Sequence, residues 1–318
     1  MIRAGIIGGG GYTAGELLRI LVHHPEAEIA FVYSNSQQGK PVSAVHQDLI
    51  GTIDLTFASL YNFEVDVLFL CMGHGQSESF LADHQIPDEV VLIDLSQDYR
   101  LSKDFVYGLP ELNRASIREQ RRIANPGCFA TAIQLALLPL AADRALQTDI
   151  HVQAITGSTG AGQKPTATSH FSWRNNNVSV YKAFRHQHLH EIKRSLQQLQ
   201  DDFDQALHFI PVRGNFSRGI LACVYTTIDA PETELIGLYN DYYDPHPFVH
   251  VTQDSANLKM VVNTNKAVLE LHKHADQWLI VSTIDNLTKG ASGQAVQNMN
   301  LAMGLDETSG LDLKPVGL

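Results

Sequence analysis

Several features that define other classes of protein are scarce in this sequence of 318 residues. It has three cysteines, Cys71, Cys128 and Cys223, which are too few and too scattered for a disulfide framework or a cysteine-based zinc site. The net charge of −11 gives no general attraction for nucleic acid or an anionic membrane. The longest apolar stretches, such as residues 65–72, are far shorter than the ~20 residues of a membrane helix. We therefore expect no metal site, no nucleic-acid or membrane partner, and a small-molecule substrate.

The first third of the chain alternates strand-like and helix-like patterns, which predicts βαβ units and a doubly wound, Rossmann-type parallel sheet. The first strand would begin almost at Met1, so we predict no secretion signal and a cytoplasmic protein. From about Asp149 the chain is richer in strand-like segments, which predicts an α+β domain with a mostly antiparallel sheet. The predicted strands are 2–7, 28–33, 67–71, 90–94, 150–156, 220–228, 259–263, 267–273 and 277–284, and the predicted helices include 14–23, about 77–84, and 287–303.

The first predicted strand runs directly into four consecutive glycines and then into a helix-like pattern. Glycines let the backbone turn tightly and approach a pyrophosphate, which the free N–H groups and the dipole of a helix N-terminus stabilise. The spacing from Gly8 through Gly11 to Ala14 is a variant of the dinucleotide fingerprint. It predicts a cofactor loop that includes Tyr12 and Thr13.

The second predicted strand ends at Ser34-Asn35-Ser36, where an NAD enzyme of this fold places an acidic residue for the ribose 2′-hydroxyl. No Asp or Glu occurs between Phe31 and Val45. Ser34, Ser36 and Lys40 can instead donate to a 2′-phosphate, so we expect NADP(H) as the cofactor. The alternative is that these are ordinary polar residues of a turn.

Cys128 follows Asn-Pro-Gly and begins an Ala/Leu-rich helical pattern that is predicted to end at Pro139. At a helix N-terminus the dipole and the free N–H groups favour a thiolate, and the same N–H groups can hold a developing oxyanion. Cys128 is therefore the candidate nucleophile. Cys71 and Cys223 lie in apolar strand patterns, which is typical of small buried residues.

A series of short motifs across almost the whole chain resembles the N-acetyl-γ-glutamyl-phosphate reductase family. These motifs are residues 8–17, 94–100, 107–111, 125–131, 157–162, 186–192, 214–219 and 285–295. The resemblance implies NADP-dependent reduction of an N-acyl-γ-glutamyl phosphate to the semialdehyde and phosphate, through a thioester on Cys128, in arginine biosynthesis. It also implies an NADP-binding domain at 1–127 and 287–318, a catalytic and oligomerisation domain at 128–286, and a homodimer or homotetramer.

The remaining candidate residues follow from local pattern together with this resemblance. His188 and Glu191 are three residues apart at a predicted helix start, so we expect His188 as the acid/base and Glu191 as its orienting carboxylate, with His186 as second choice. The other expected substrate-binding residues are Arg100, His186, Lys164 and Arg218. The resemblance adds further cofactor-binding positions at Ser96, Gly160, Gly162 and Asn286. Small departures from the family pattern, such as Ala14 at the third glycine position, concern only these finer contacts.

Three other functions remain compatible with the residues themselves. An aspartate-semialdehyde dehydrogenase would use the same thioester chemistry on a substrate with a free amine. A Cys-His hydrolase or acyltransferase would carry out no redox step and bind no cofactor. A non-enzymatic NADP-binding regulator would keep its function when Cys128 is replaced. The sequence also leaves open the N-acyl group, the oligomer size and whether the substrate arrives on a carrier.

Overall fold

The computed structural model describes residues 1–316, which form two compact units. One unit contains Met1–Pro126 and Ala291–Leu313, and the other contains Gly127–Gly290 with residues 314–316. The strands are β1 Ile2–Ile7, β2 Ala27–Tyr33, β3 Val67–Leu70, β4 Val91–Asp94, β5 Val106–Tyr107, β6 Arg122–Ala124, β7 Ile150–Thr156, β8 Ser179–Val180, β9 Leu207–Arg213, β10 Ile220–Thr227, β11 Val249–Thr252, β12 Ala267–His274 and β13 Gln277–Ile284. The helices are α1 Tyr12–Leu21, α2 Val42–Val45, α3 Gln76–Asp83, α4 Pro110–Glu119, α5 Cys128–Ala142, α6 Phe171–Arg174, α7 His188–Leu199, α8 Glu232–Tyr243 and α9 Gly293–Ala302. Within the described residues no helix has both the length and the apolar character needed to cross a bilayer.

The first unit is built on a parallel sheet with the strand order β2-β1-β3-β4-β6-β5. The chain moves outward from β1 to β2 and then returns to the other side of β1, where β3 pairs with it. In sheets of this kind, ligands bind at the carboxyl ends of the strands where the order reverses. The predicted doubly wound sheet is confirmed, and the glycine loop follows β1 at this reversal.

Helix α9 belongs to the first unit and is buried on all sides, although many of its side chains are amides. The amide nitrogen of Asn298 donates to the carbonyl of Gly108 at 2.8 Å, and Asn300 is hydrogen-bonded to His24 at 3.0 Å. Buried amides are tolerated because they have such partners. The predicted helix at 287–303 therefore exists but begins later, after a π-helical segment at Thr288–Ser292.

The second unit contains a seven-stranded sheet with the order β11-β12-β13-β10-β7-β9-β8. Within the described residues four neighbouring pairs are antiparallel, and the pairs β11/β12 and β7/β9 are parallel. The sheet is therefore mixed, with the predicted antiparallel majority. Helices α5, α7 and α8 contribute apolar side chains to a common core with the sheet, including Phe129, Ile192, Tyr239 and Trp278.

The prediction that Pro139 ends the helix after Cys128 is wrong, because α5 continues through it to Ala142. Proline lacks the N–H that would bond the carbonyl of Leu135 and normally breaks a helix. Here the Leu135 carbonyl accepts a hydrogen bond from the Tyr243 hydroxyl of α8 instead. The proline is tolerated because this contact replaces the missing bond.

The strand predicted at 259–263 is also wrong. The segment forms a 3₁₀ turn at Leu258–Met260, where the side chain of Asn257 accepts a hydrogen bond from the Lys259 amide at 3.1 Å. Asn263 has φ of 69°, which is incompatible with an extended strand. The Asn257 cap and the left-handed backbone of Asn263 thus prevent the strand that the apolar pattern predicts.

Candidate active site

The glycine loop of the first unit has the geometry of a phosphate-binding turn. Gly8 has φ of +84°, and a Cβ there would lie 2.7 Å from the carbonyl oxygen of Cys71, so only glycine fits. Gly11 is the N-cap of α1, and a Cβ there meets no atom within 4 Å. The amides of residues 12–14 form the first helical turn, which has no acceptors within the helix. The open space before these amides fits a pyrophosphate.

His46 is hydrogen-bonded to this loop and was not identified from the sequence. Its Nε2 is 2.7 Å from the carbonyl oxygen of Gly9, so this nitrogen carries the proton and donates. A Cβ on Gly15 would lie 2.7 Å from His46 Nδ1, which shows how closely the ring packs on α1. His46 therefore contacts both the glycine loop and α1.

The predicted 2′-phosphate residues follow directly after β2. Ser34 is buried, whereas Ser36 and Lys40 are exposed. Lys40 Nζ donates to the side-chain oxygen of Gln37 at 3.0 Å, and Ser36 Oγ accepts from the Gln37 amide at 3.3 Å. An ammonium group has three donors, so Lys40 keeps the capacity to bind an anion.

Ser96 and Arg100 are both buried inside the first unit. The Ser96 hydroxyl donates to Asp94 Oδ2 at 2.7 Å, and burial raises the pKa of the Asp94 carboxyl although its hydroxyl donors oppose this. Arg100 Nε donates to the carbonyl of Asn125 at 2.9 Å, and its Nη2 donates to the carbonyl of Leu95 at 3.3 Å. The contacts seen for both side chains support the ends of β4 and β6.

Cys128 is the first residue of α5 and is half-buried. The extended Gly127 caps the helix, and its carbonyl accepts from the Thr131 amide at 2.8 Å. The other two cysteines are in different surroundings: burial raises the pKa of Cys71 to about 12 and also raises that of Cys223. Cys128 is thus the cysteine placed where a helix N-terminus favours a thiolate.

One buried carboxylate contacts both the turn before Cys128 and the candidate acid/base. The Gly127 amide donates to Glu191 Oε2 at 3.0 Å, and Glu191 Oε1 lies 3.8 Å from His188 Nε2. His188 and Glu191 are adjacent on the first turn of α7, because residues three apart share one face of a helix. Glu191 therefore positions the turn before Cys128 as well as the imidazole.

His186 has a different environment from His188, although their ring centroids are only 4.5 Å apart. Its Nδ1 accepts from the His188 amide at 3.3 Å, which places the proton of the neutral ring on Nε2. Burial, and then the charge of His188, lower the pKa of His186 to about 3. A histidine that stays neutral donates a hydrogen bond but does not exchange protons near neutral pH. This favours His188 for proton transfer.

Arg218 is held by an acidic residue that was not predicted as part of the site. Its Nε and Nη2 donate to the two oxygens of Asp285 at 3.0 and 3.2 Å. Asp285 is fully buried and also accepts from the amides of Asn263, Leu287 and Thr288. Its position in the segment Asp285-Asn286-Leu287 was the only signal that could have identified it.

Asn286 connects two loops of the second unit. Its side-chain oxygen accepts from the Gly219 amide at 2.7 Å, and its nitrogen donates to Thr159 Oγ1 at 3.0 Å. Thr159 lies in the loop that also carries Gly160 and Gly162, both of which are exposed, and Lys164 is exposed just beyond. Asn286 is 2% exposed, so the observed contacts give it a role in fixing this loop.

Gly290 lies directly against Cys128, the candidate nucleophile. A Cβ at this position would be 2.9 Å from the Cβ of Cys128 and 3.2 Å from the carbonyl oxygen of Asp285. No side chain fits there without moving the first turn of α5. In the second unit Cys128, His186, His188 and Glu191 thus come together. No group of three or more His, Cys, Asp or Glu side chains within residues 1–316 has the arrangement of a metal site.

The two units correspond to two known domain families. Residues 3–120 match the semialdehyde dehydrogenase NAD binding domain, and residues 128–286 match the semialdehyde dehydrogenase dimerisation domain. The fold agrees with solved structures of aspartate semialdehyde dehydrogenases. The enzyme II from Vibrio cholerae has a TM-score of 0.75 at 17% identity, covering 96% of this chain and 98% of that one. The enzyme from Candida albicans, solved with NADP, has a TM-score of 0.71 at 15% identity, covering 96% and 99%. The chain is thus an oxidoreductase of the semialdehyde dehydrogenase class.

Full-length relatives narrow this class further. The N-acetyl-gamma-glutamyl-phosphate reductase of Flavobacterium johnsoniae is 58% identical over 324 residues, covering 100% of both chains. That of Bacteroides fragilis is 56% identical over 319 residues, covering 99% of each. At this identity and coverage the chain belongs to the N-acetyl-γ-glutamyl-phosphate reductase family.

Proposed function

We propose that this chain reduces an N-acyl-γ-glutamyl phosphate to the corresponding 5-semialdehyde and phosphate with NADPH. The observation that carries the proposal is Cys128 at the start of α5, with the preceding amide bound to Glu191 and Glu191 beside His188. The names of the relatives supply the substrate class. The aspartate semialdehyde dehydrogenases share the fold, but their identity of 13–17% is far below the 54–58% of these relatives.

The first unit fits NADP(H). Gly8 and Gly11 leave room for a pyrophosphate before the first turn of α1, at residues 12–14. Ser36 and Lys40, exposed after β2, provide donors for a 2′-phosphate where an acidic residue would repel it. When bound, NADPH supplies the hydride that converts the thioester to the aldehyde level.

The chemistry of the second unit begins with the Cys128 thiolate, which attacks the γ-acyl carbon. The bond from that carbon to the phosphate oxygen breaks, phosphate leaves with the electron pair, and a thioester remains on Cys128. After reduction the hemithioacetal loses its carbon–sulfur bond, which releases the semialdehyde and regenerates the thiolate. One proton is taken up overall and ends on phosphate.

The remaining residues of the second unit bind and move protons in this scheme. His188 exchanges protons with the reacting oxygens, and Glu191 stabilises its charged form. Neutral His186 donates from Nε2 to a substrate oxygen. Amides at the first turn of α5 stabilise the oxyanion that forms on the carbonyl.

A phosphate-dependent assay in the oxidising direction tests this function. We expect NADP reduction with N-acetyl-glutamate semialdehyde and not with aspartate semialdehyde. Cys128→Ser should lower turnover by several orders of magnitude because an alcohol has almost no anion at neutral pH, while NADP binding is kept. Near-normal turnover of that variant, or equal use of both aldehydes, would contradict the proposal.

The cofactor and the assembly have separate tests. Ser36→Asp should weaken NADP binding far more than NAD binding, because its charge repels the 2′-phosphate, and a wild type that prefers NAD would refute the assignment. We also propose a homodimer or homotetramer, supported by the match to a dimerisation domain and by the exposed side chains of Phe184 and Tyr225. A reducing, cytoplasmic location, which would keep Cys128 as a thiol, is proposed as well. Light scattering of the purified chain gives the oligomeric state.

A further inference from the structure

Two arginines of the second unit have guanidinium groups that are held by hydrogen bonds or an ion pair within the chain. Arg174 donates to the carbonyls of Thr168, Asn177 and Arg213 and to the Ser179 hydroxyl. Arg218 is paired with Asp285, as described above. Their guanidinium groups therefore stabilise loops and strand ends, and little of their donor capacity is left for a substrate.

Arg213, the last residue of β9, is held differently: its side chain is hydrogen-bonded to Tyr181, and no carboxylate pairs with it within residues 1–316. Its guanidinium lies 4.5 Å from the centre of the Tyr181 ring. Its Nε is buried and has no hydrogen-bond partner within residues 1–316, and none of the ion pairs in that part of the chain includes Arg213. A partly desolvated cation without an acidic partner costs free energy, which an incoming anion would offset.

Arg213 belongs to the same cluster of side chains as the nucleophile. The rings of Tyr181 and His186 are 5.8 Å apart. Burial raises the pKa of Tyr181 to about 12, the nearby charge of Arg213 opposes the rise, and the charge of Cys128 adds to it. The charge of Arg213 also contributes to the lowered pKa of His186. Arg213 is thus within electrostatic reach of both Tyr181 and His186, and Tyr181 is within reach of Cys128.

We propose that Arg213 binds an oxyanion of the substrate and determines specificity for it. The inference rests on the proposed function, whose substrate carries two such groups, the γ-phosphate and the α-carboxylate. A guanidinium matches either one through two parallel hydrogen bonds, and the Tyr181 ring holds it in one orientation. Arg218 and Arg100, which the sequence suggested for this role, have their observed contacts with the chain instead.

Steady-state kinetics in the oxidising direction separate the two oxyanions, because phosphate and aldehyde are then different substrates. Arg213→Gln should raise one KM about 10- to 100-fold with a smaller effect on kcat. A rise in the phosphate KM assigns the phosphate, and a rise in the aldehyde KM assigns the carboxylate. Arg213→Lys should raise the same KM less, because the charge remains but the fork geometry is lost. Arg144→Gln is the control, since Arg144 is exposed and paired with Asp201 and Asp202.

A second measurement needs no turnover. Iodoacetamide alkylation of Cys128, followed by mass spectrometry of its peptide, should be slowed by inorganic phosphate or by N-acetylglutamate in wild type. Arg213→Gln should lose that protection. If wild type shows no phosphate-dependent activity but is protected, the proposed function fails and the anion site stands. If Arg213→Gln folds normally and keeps both KM values and the protection, the proposal is refuted, even if its kcat falls.

Discussion

Replacing Gly290 by alanine tests whether the space beside Cys128 is needed for the reaction. The new Cβ would lie 2.9 Å from the Cβ of Cys128, 3.3 Å from its Cα and 3.2 Å from the Asp285 carbonyl oxygen. Carbon atoms pack at about 3.5–4.0 Å, so the first turn of α5 must move by roughly 0.6 Å or more. None of these atoms is the end of a flexible side chain that could rotate away.

The displacement should reduce activity more than stability. Overpacking a well-packed site costs about 1–3 kcal/mol of unfolding free energy. A misplacement of reacting atoms by ~1 Å lowers rates by about 10²-fold, so we expect kcat/KM to fall roughly 10- to 100-fold. The Tm should decrease by roughly 2–4 °C for each kcal/mol lost.

The assay measures kcat/KM for phosphate-dependent aldehyde oxidation, together with the thermal midpoint. Gly237→Ala is a matched control, because Gly237 lies inside α8 and a Cβ there meets no atom within 4 Å. That variant should keep full activity and gain up to ~1 kcal/mol from helix propensity. If Gly290→Ala keeps both the wild-type kcat/KM and the wild-type midpoint, the packing argument is wrong.

Three further predictions follow from contacts in the second unit. Glu191→Gln keeps an oxygen for the Gly127 amide but removes the negative charge beside His188, so it should shift the acidic limb of the pH–rate profile to lower pH. Glu191→Ala removes the oxygen as well and should lose much more activity; equal losses in the two variants would contradict the shared carboxylate. Tyr243→Phe leaves the Leu135 carbonyl without its donor and should lower the free energy of unfolding in urea by about 1–3 kcal/mol. The loss should be smaller in a Pro139→Ala background, which restores the helical N–H; if the two substitutions are additive, the Tyr243 hydroxyl does not replace the missing helical bond. The His186 pKa is lowered from 6.5 to about 3, so above pH 6.5 the ring is neutral in both states, and below it the unfolded chain gains a proton that the folded chain refuses. The unfolding free energy should therefore fall by up to about 2 kcal/mol between pH 6.5 and 5, and by less in His186→Gln.

The sequence predicted the parts of the site that depend on local order. Cys128 could be placed at a helix start because a turn motif precedes it and an Ala/Leu pattern follows. The pair of His188 and Glu191 could be predicted because a three-residue step on a helix brings side chains together whatever the rest of the fold does. The glycine loop at Gly8–Gly11 between β1 and α1 was predictable for the same reason, because strand, loop and helix are consecutive; its role in cofactor binding stays a prediction.

Residues that act across the fold were missed. Arg213 ends a strand that contains Pro211, and a proline argues against a strand from sequence alone. Asp285 meets Arg218 only because β10 and β13 pair in the sheet. His46 reaches Gly9 from a distant segment, and no spacing in the sequence signals that contact.

The division of the chain also has a consequence for its synthesis. The first unit is assembled from two segments, and Ala291–Leu313, which contains the wholly buried α9, emerges from the ribosome only after the continuous stretch Gly127–Gly290. At about 5–20 residues per second, the stretch between them takes on the order of 10 to 30 s to translate. During that interval the first unit exposes the surface that α9 will cover, while the second unit is still being translated. The first unit is thus begun first and completed last, so we expect it to be the part of the nascent chain most exposed to aggregation.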